Sequence, residues 1–146
     1  MGDYSAMSDR ELDAAVAEKV FGWRWIHEDS EQPWAVPYLV GPSSSVYYPT
    51  VHAKFPNVPK SGGDLPNYST DIAAAWAVVD RVIELDFSCF GGMTDCELVM
   101  NPYTHKWRAA FSWSGGESST GVHEFAPRAI CLAALAAVGA KEKTNA

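Results

Sequence analysis

The sequence predicts an α+β domain in which three helices flank a mainly antiparallel sheet, an α-β-α sandwich. Three observations carry this. Helical patterns with recognisable start signals lie near the beginning, in the middle and at the end of the chain. Residues 107–113 alternate cleanly, with Trp107, Ala109, Phe111 and Trp113 on one side and Arg108, Ala110 and Ser112 on the other. Short connections around that run require an antiparallel meander. A chain of 146 residues, 47% hydrophobic and 20% charged, suits one soluble domain over 1–146 with a single substantial core.

Each element has a local cause. Ser8-Asp9-Arg10-Glu11 fits a capping box, with Leu12, Ala15, Val16 and Val20 following at helical spacing and Gly22 suited to the stop. Residues 1–7, ahead of this helix, and the polar tail 141–146 are expected to be flexible. From Trp23 to Tyr68 the pattern changes, because seven of the nine prolines fall there, with Ser43-Ser44-Ser45 and Gly62-Gly63. We take 28–67 as an irregular proline-rich insertion with short strands at 34–40 and 46–51. Proline cannot donate to a ladder, so these are edges or extended loops. Trp34, Tyr38, Tyr47, Tyr48 and Phe55 favour order in it.

The second helix is expected over 70–85, with Ser69 or Thr70 as N-cap, Asp71 in the first turn and Ile72, Trp76, Val79 and Ile83 as one apolar stripe. Residues 86–90 and 96–100 read as strands around a glycine-led turn at 91–95. A second turn spans 101–106, a Gly/Ser loop 114–121 and a last strand 122–125. The third helix begins with Pro127 at its first position and stops at Gly139. Met93 and Met100 are expected in the core.

A formal net charge of -7 argues against a nucleic-acid duplex as partner, since backbone recognition needs a basic face. A few local donors can still hold a small anion. No apolar run approaches the roughly 20 residues that span a bilayer, so no membrane partner is expected. The opening MGDYSAMSDRELD lacks the features of a secretory signal. Cys89, Cys96 and Cys131 form no CxxC pair and read as buried free thiols of a reducing cytosol. His27, His52, His105 and His123 show neither HxxxH nor HxH spacing, so neither a metal site nor a cofactor is expected.

No catalytic set assembles. His27-Glu28-Asp29 and His123-Glu124 are adjacent residues, which point to opposite faces in a strand. Ser114-Gly115-Gly116 lacks a strand–nucleophile–helix setting, and Gly91-Gly92 lacks the lysine of a phosphate loop. The candidate ligand-binding residues are instead Tyr68, Ser69, Thr70, Asp71, Trp107, Arg108 and Arg128. Tyr68-Ser69-Thr70-Asp71 reads either as a helix start alone or as a phosphate or ribose site, in which Tyr68 stacks on a ring and Asp71 suits a hydroxyl or base amine. Arg108 is a solvated surface residue or a phosphate-facing one. Arg128 sits at a helix N-terminus, against the dipole, and either pairs with Glu124 on the surface or serves a ligand.

Several segments together resemble the phage ABA-sandwich domain family. They are Ser8-Asp9-Arg10-Glu11-Leu12 leading to Ala17-Glu18-Lys19-Val20-Phe21-Gly22-Trp23, and Tyr68-Ser69-Thr70-Asp71 before Ala73 and Trp76. Trp107 with Ala109 and Phe111, and Ala126-Pro127-Arg128-Ala129-Ile130-Cys131 with Ala133, complete the set. The resemblance implies a tailed-phage or prophage accessory protein with helices flanking a β layer, and brings no general enzymatic activity. On this reading the expected function is non-catalytic sequestration of a small nucleotide-like host defence signal in the bacterial cytoplasm. A protein-interaction module that inhibits a host or phage protein, and a nucleotide-cleaving enzyme, are the alternatives. The sequence leaves oligomeric state open, a homodimer with pockets at its interface among the options.

Overall fold

The computed structural model describes residues 4–26, 37–42, 45–48, 62–63 and 65–145. Among these, seven strands and three α-helices follow in the order α1 (Asp9–Lys19), β1 (Arg24–Ile26), β2 (Tyr38–Val40), β3 (Val46–Tyr48), β4 (Gly62–Gly63), α2 (Ile72–Glu84), β5 (Met93–Asn101), β6 (Lys106–Trp113), β7 (Ser118–His123) and α3 (Ala126–Asn145). The strands form two antiparallel sheets, β1-β2-β3-β4 and β5-β6-β7. Helices and sheets together make an α+β sandwich, as the sequence predicts. His27, Glu28, Asp29, Trp34, His52 and Phe55, and most of 28–67, lie outside the described residues.

The capping box of α1 is formed: the Glu11 N–H donates to Ser8 Oγ and the Ser8 N–H to Glu11 Oε1, both at 3.2 Å. At the other end Gly22 adopts φ 77°, which turns the chain so that the Trp23 N–H reaches the Ala17 carbonyl at 2.9 Å. α3 is the centre of the packing and touches β6, β7, α1 and α2. Its buried residues include Ala129, Ala133, Ala134 and Ala137, small enough to let neighbours approach. The closest approach is at Gly121 of β7, where a Cβ would stand 2.3 Å from the Ala129 carbonyl oxygen and 2.5 Å from the Ala133 nitrogen. Phe111 and Trp113 extend the core, with Trp113 meeting Phe87 and Phe90 ring to ring at 4.9 and 5.3 Å.

Several local expectations are corrected. Asp71, not Ser69 or Thr70, caps α2, accepting from the Ala73 N–H at 3.0 Å. The buried face of α2 is Ala75, Val78, Val79 and Val82, so of the expected stripe only Val79 is covered, and Trp76 is 48% exposed. The alanine and valines allow close contact with α3, and the larger side chains are left at its margin. Residues 88–90 form a 3-10 turn, not a strand, because Asp86 accepts from the Ser88 N–H at 2.9 Å and bends the chain. β5 therefore starts at Met93, and β7 starts at Ser118 within the stretch expected as a loop.

α3 runs through Gly139. Glycine inside a helix costs about 1 kcal/mol, and the buried Ala137 and Val138 before it, with the helix-favouring Ala140-Lys141-Glu142 after it, outweigh that. Residues 141–145 thus continue the helix. Tyr4–Ala6 form a 3-10 turn held at its back by Arg128. Met100 is exposed, and so are Cys89 and Cys96, while Cys131 is buried.

Candidate functional site

The segment Tyr68-Ser69-Thr70-Asp71 clasps α1 before it starts α2. Asp13, on the buried side of α1, is fully enclosed, and its Oδ1 accepts the Ser69 N–H at 2.8 Å while Oδ2 pairs with Arg10 at 2.8 Å. Ser69 Oγ donates to the Asp9 carbonyl at 3.1 Å. Arg10 also reaches Asn67 Oδ1 and the Leu65 and Pro66 carbonyls, tying the loop to the helix. Tyr68 is buried and stacks on Phe21, with centroids 5.0 Å apart and planes within 11°. Burial, and then the negative charge of Asp13, push its phenol up to about 12.

Beside this clasp lies a cavity of about 470 Å³, lined by Asp9, Ser69, Thr70, Trp107, His123, Glu124, Phe125, Ala126, Pro127 and Arg128. The starts of all three α-helices border it: α1 contributes Asp9, α2 the Ser69-Thr70 pair just before its cap, and α3 its first three residues. Helix N-termini carry partial positive charge and unpaired N–H groups. α1 and α2 are capped by side chains, whereas α3 has Phe125 at the capping position, which offers no acceptor. The first N–H of α3 engaged in the helical pattern is that of Ala129, which donates to the Phe125 carbonyl at 3.1 Å.

Arg128 is 6% exposed and spans the cavity wall. It pairs with Asp9 at 2.9 Å and donates to the Ser5 carbonyl at 3.1 Å and to the Met7 carbonyl. Of the two readings the sequence left open for Arg128, the surface pair with Glu124 gives way to a pair with Asp9, because Arg128 turns inward toward α1. Its Nε is enclosed and has no acceptor among the described residues. A buried donor left unmet is uncommon and costly.

The cavity thus gathers Ser69, Thr70, Trp107 and Arg128 and leaves out three candidates. Tyr68 is a core residue, Asp71 is occupied as the α2 cap, and Arg108 lies on the opposite face of β6 in an ion pair with Glu97 of β5. Sequence reasoning missed Asp9 and Phe125, and set His123-Glu124 aside as strand neighbours on opposite faces. His123 ends β7 and Glu124 follows the strand, so the alternation that separates strand neighbours no longer applies; Pro127 close behind was the available signal. His123 Nδ1 accepts from the Phe125 N–H at 3.1 Å, which places the ring proton of the neutral form on Nε2. Desolvation, and next the Arg128 charge, hold this histidine below its ordinary range. It lines the cavity, and its ring acceptor is already used. Among the described residues no three His, Cys, Asp or Glu side chains converge as a metal site requires.

Fold and site together define an α+β sandwich with a cavity at its helix starts. The model of the phage ABA sandwich domain matches residues 14–135, and the chain belongs to that family. Its architecture is similar to the 2.0 Å crystal structure of a phage protein from Bacillus cereus ATCC 14579, with 23% identity and a TM-score of 0.56 over 94% of this chain and 98% of that one. No curated protein matches the sequence. No helix among the described residues is long and apolar enough to cross a membrane.

Proposed function

We propose that this phage-family protein binds a small nucleotide-like molecule in the 470 Å³ cavity and holds it unchanged, acting as a sponge for a host defence signal in the bacterial cytoplasm. The observation that carries the reading is the convergence of three helix starts on one cavity that also holds Trp107 and Arg128. The uncapped start of α3 favours an anionic group, and the orphaned Arg128 Nε gains a partner if that group displaces its neighbours. The Trp107 ring offers a stacking face for a base. Asp9 and Glu124 accept from ribose hydroxyls or a base amine and repel a chain of phosphates, so the ligand carries few negative charges. Holding without cleavage fits His123, whose Nδ1 is committed to the backbone and cannot serve as a base.

A thermal-shift panel of nucleoside monophosphates, cyclic mononucleotides and cyclic dinucleotides tests this. At hundredfold excess over Kd a ligand stabilises by about 2.7 kcal/mol, a rise of several degrees in Tm. Trp107→Ala and Thr70→Val should lose the shift while unfolding cooperatively, and mass spectrometry should recover the ligand intact. Cleaved products would establish the enzyme instead. A silent panel would sink the ligand reading in favour of a protein-interaction module, to which Phe125, 65% exposed at the cavity mouth, would contribute.

A further inference from the structure

β5 is an edge strand. It pairs with β6 on one side, and among the described residues nothing pairs with its other side. Thr94, Asp95, Cys96, Val99, Met100 and Asn101 are all exposed, and a free row of backbone donors and acceptors of this length is a template for another strand. The helix-facing side of this edge is apolar. Trp76 of α2 lies with Cys96 and Leu98 around a small pocket, and Ile72 and Ile83 are exposed along the same helix. From these we infer that β5 pairs antiparallel with β5 of a second copy of this chain, about a two-fold axis at Leu98, joining two three-stranded sheets into one of six.

The strand itself selects that axis. Its ladder is irregular between Met93 and Asp95, so the regular segment is Asp95–Asn101, whose midpoint is Leu98. A two-fold perpendicular to the sheet pairs each position with one of the same parity, which brings the helix-facing sides of the two copies together. About Leu98, that residue meets its own copy, Cys96 meets Met100, Glu97 meets Val99 and Asp95 meets Asn101. Apolar groups fall together on the helix-facing side, and no two like charges stand opposite. Shifting the axis to Glu97 sets that carboxylate against itself, and shifting it to Val99 opposes Pro102, which has no N–H, to Cys96. Glu97 is already paired with Arg108 within its own chain, which removes the charge that would otherwise guard the edge.

Such a two-fold, perpendicular to the sheet, places both α2 helices on one side, so that the two Trp76 rings flank the new strand pair. Met100 of β5 is the cross-strand neighbour of Trp107 of β6, so the second copy's Cys96 would be separated from Trp107 by β5 alone.

Sedimentation equilibrium of the full chain at tens of micromolar should give twice the 15.9 kDa chain mass, and Trp76→Lys with Met100→Lys should halve it. A monomer throughout that range overturns the inference. In a background with Cys89→Ser and Cys96→Ser, Leu98→Cys should form an intermolecular disulfide under mild oxidation, since opposed Cα atoms of a strand pair lie within disulfide reach. Val99→Cys should not. Cross-linking at Val99 in preference to Leu98, or a wild-type dimer in which neither position links, overturns the β5 pairing. The readouts are mass and covalent linkage, so they are independent of whether any nucleotide binds.

Discussion

Removing the Asp13 carboxylate measures how strongly the Ser69 turn is held to α1. In Asp13→Ala the Ser69 N–H, buried beside a fully enclosed side chain, loses a charged acceptor at 2.8 Å. A hydrogen bond to a charged group contributes about 1.5–3 kcal/mol. The lost pairing with Arg10 adds less, about 1 kcal/mol at most, because that side chain is 36% exposed and keeps Asn67 Oδ1 at 2.7 Å. The expected loss is therefore about 2–4 kcal/mol, which at a urea slope near 2 kcal/mol per molar lowers the midpoint by roughly 1–2 M. Asp13→Asn keeps a neutral acceptor for Ser69 and should recover about half. Urea titrations followed by tryptophan fluorescence give both midpoints, with the slope as a check on two-state unfolding. If Asp13→Ala unfolds within about 0.5 kcal/mol of the parent at unchanged slope, the clasp does not hold the turn and the reasoning fails.

Three further outcomes are expected. Gly121→Ala forces a methyl to within 2.3 Å of the α3 backbone, and since neither backbone can yield cheaply the cost is about 1–3 kcal/mol or more, seen as a fall of several degrees in Tm; an unchanged Tm would refute the close packing. In an ultraviolet pH titration one tyrosine should ionise late, near pH 12, and Tyr68→Phe should remove that phase. Because the folded state raises this phenol above its unfolded value of about 10, its contribution to stability is intact below pH 10 and is lost as the pH rises through 12. His123 is shifted the other way: its contribution is present above the unfolded value of about 6.5 and is lost as the pH falls through the lower folded value, so His123→Gln should flatten the decline in stability between pH 7.5 and 5.

What was legible in the sequence was what local chemistry decides. The capping box of α1 needs only residues 8 to 11, and the alternation of β6 is written in one run, so both appear in the structure as read. What was not legible depends on neighbours distant in sequence. Nothing near Gly139 shows that α3 is central enough to run through it, and nothing near Ile72 or Trp76 shows that α3 meets the alanine-valine face of α2. Asp13 was within reach: with Val16, Ala17 and Val20 it falls at helical spacing on the buried side, and an acid there requires a partner. In the cavity, single residues could be nominated from sequence, but not the 119-residue separation bridged by Arg128 and Asp9.

The candidate site and the frame share atoms, and this decides which substitutions can separate binding from folding. Asp9 accepts from Ser69 through its carbonyl and from Arg128 through its carboxylate, and Arg128 in turn holds the carbonyls of Ser5 and Met7. Replacing Arg128 would release the N-terminal turn, α1 and α3 together, so lost binding in such a variant would say nothing about ligand contact. Tyr68, stacked in the core, has the same defect, and Arg108 faces away from the cavity. Thr70 is exposed, and among the described residues no side-chain hydrogen bond ties it to the frame, whereas Trp107 is half-buried and packs against the core. Thr70 is therefore the residue whose replacement distinguishes a ligand site from a well-made junction of three helices, and Trp107→Phe, which keeps a ring against the core, is the milder companion variant.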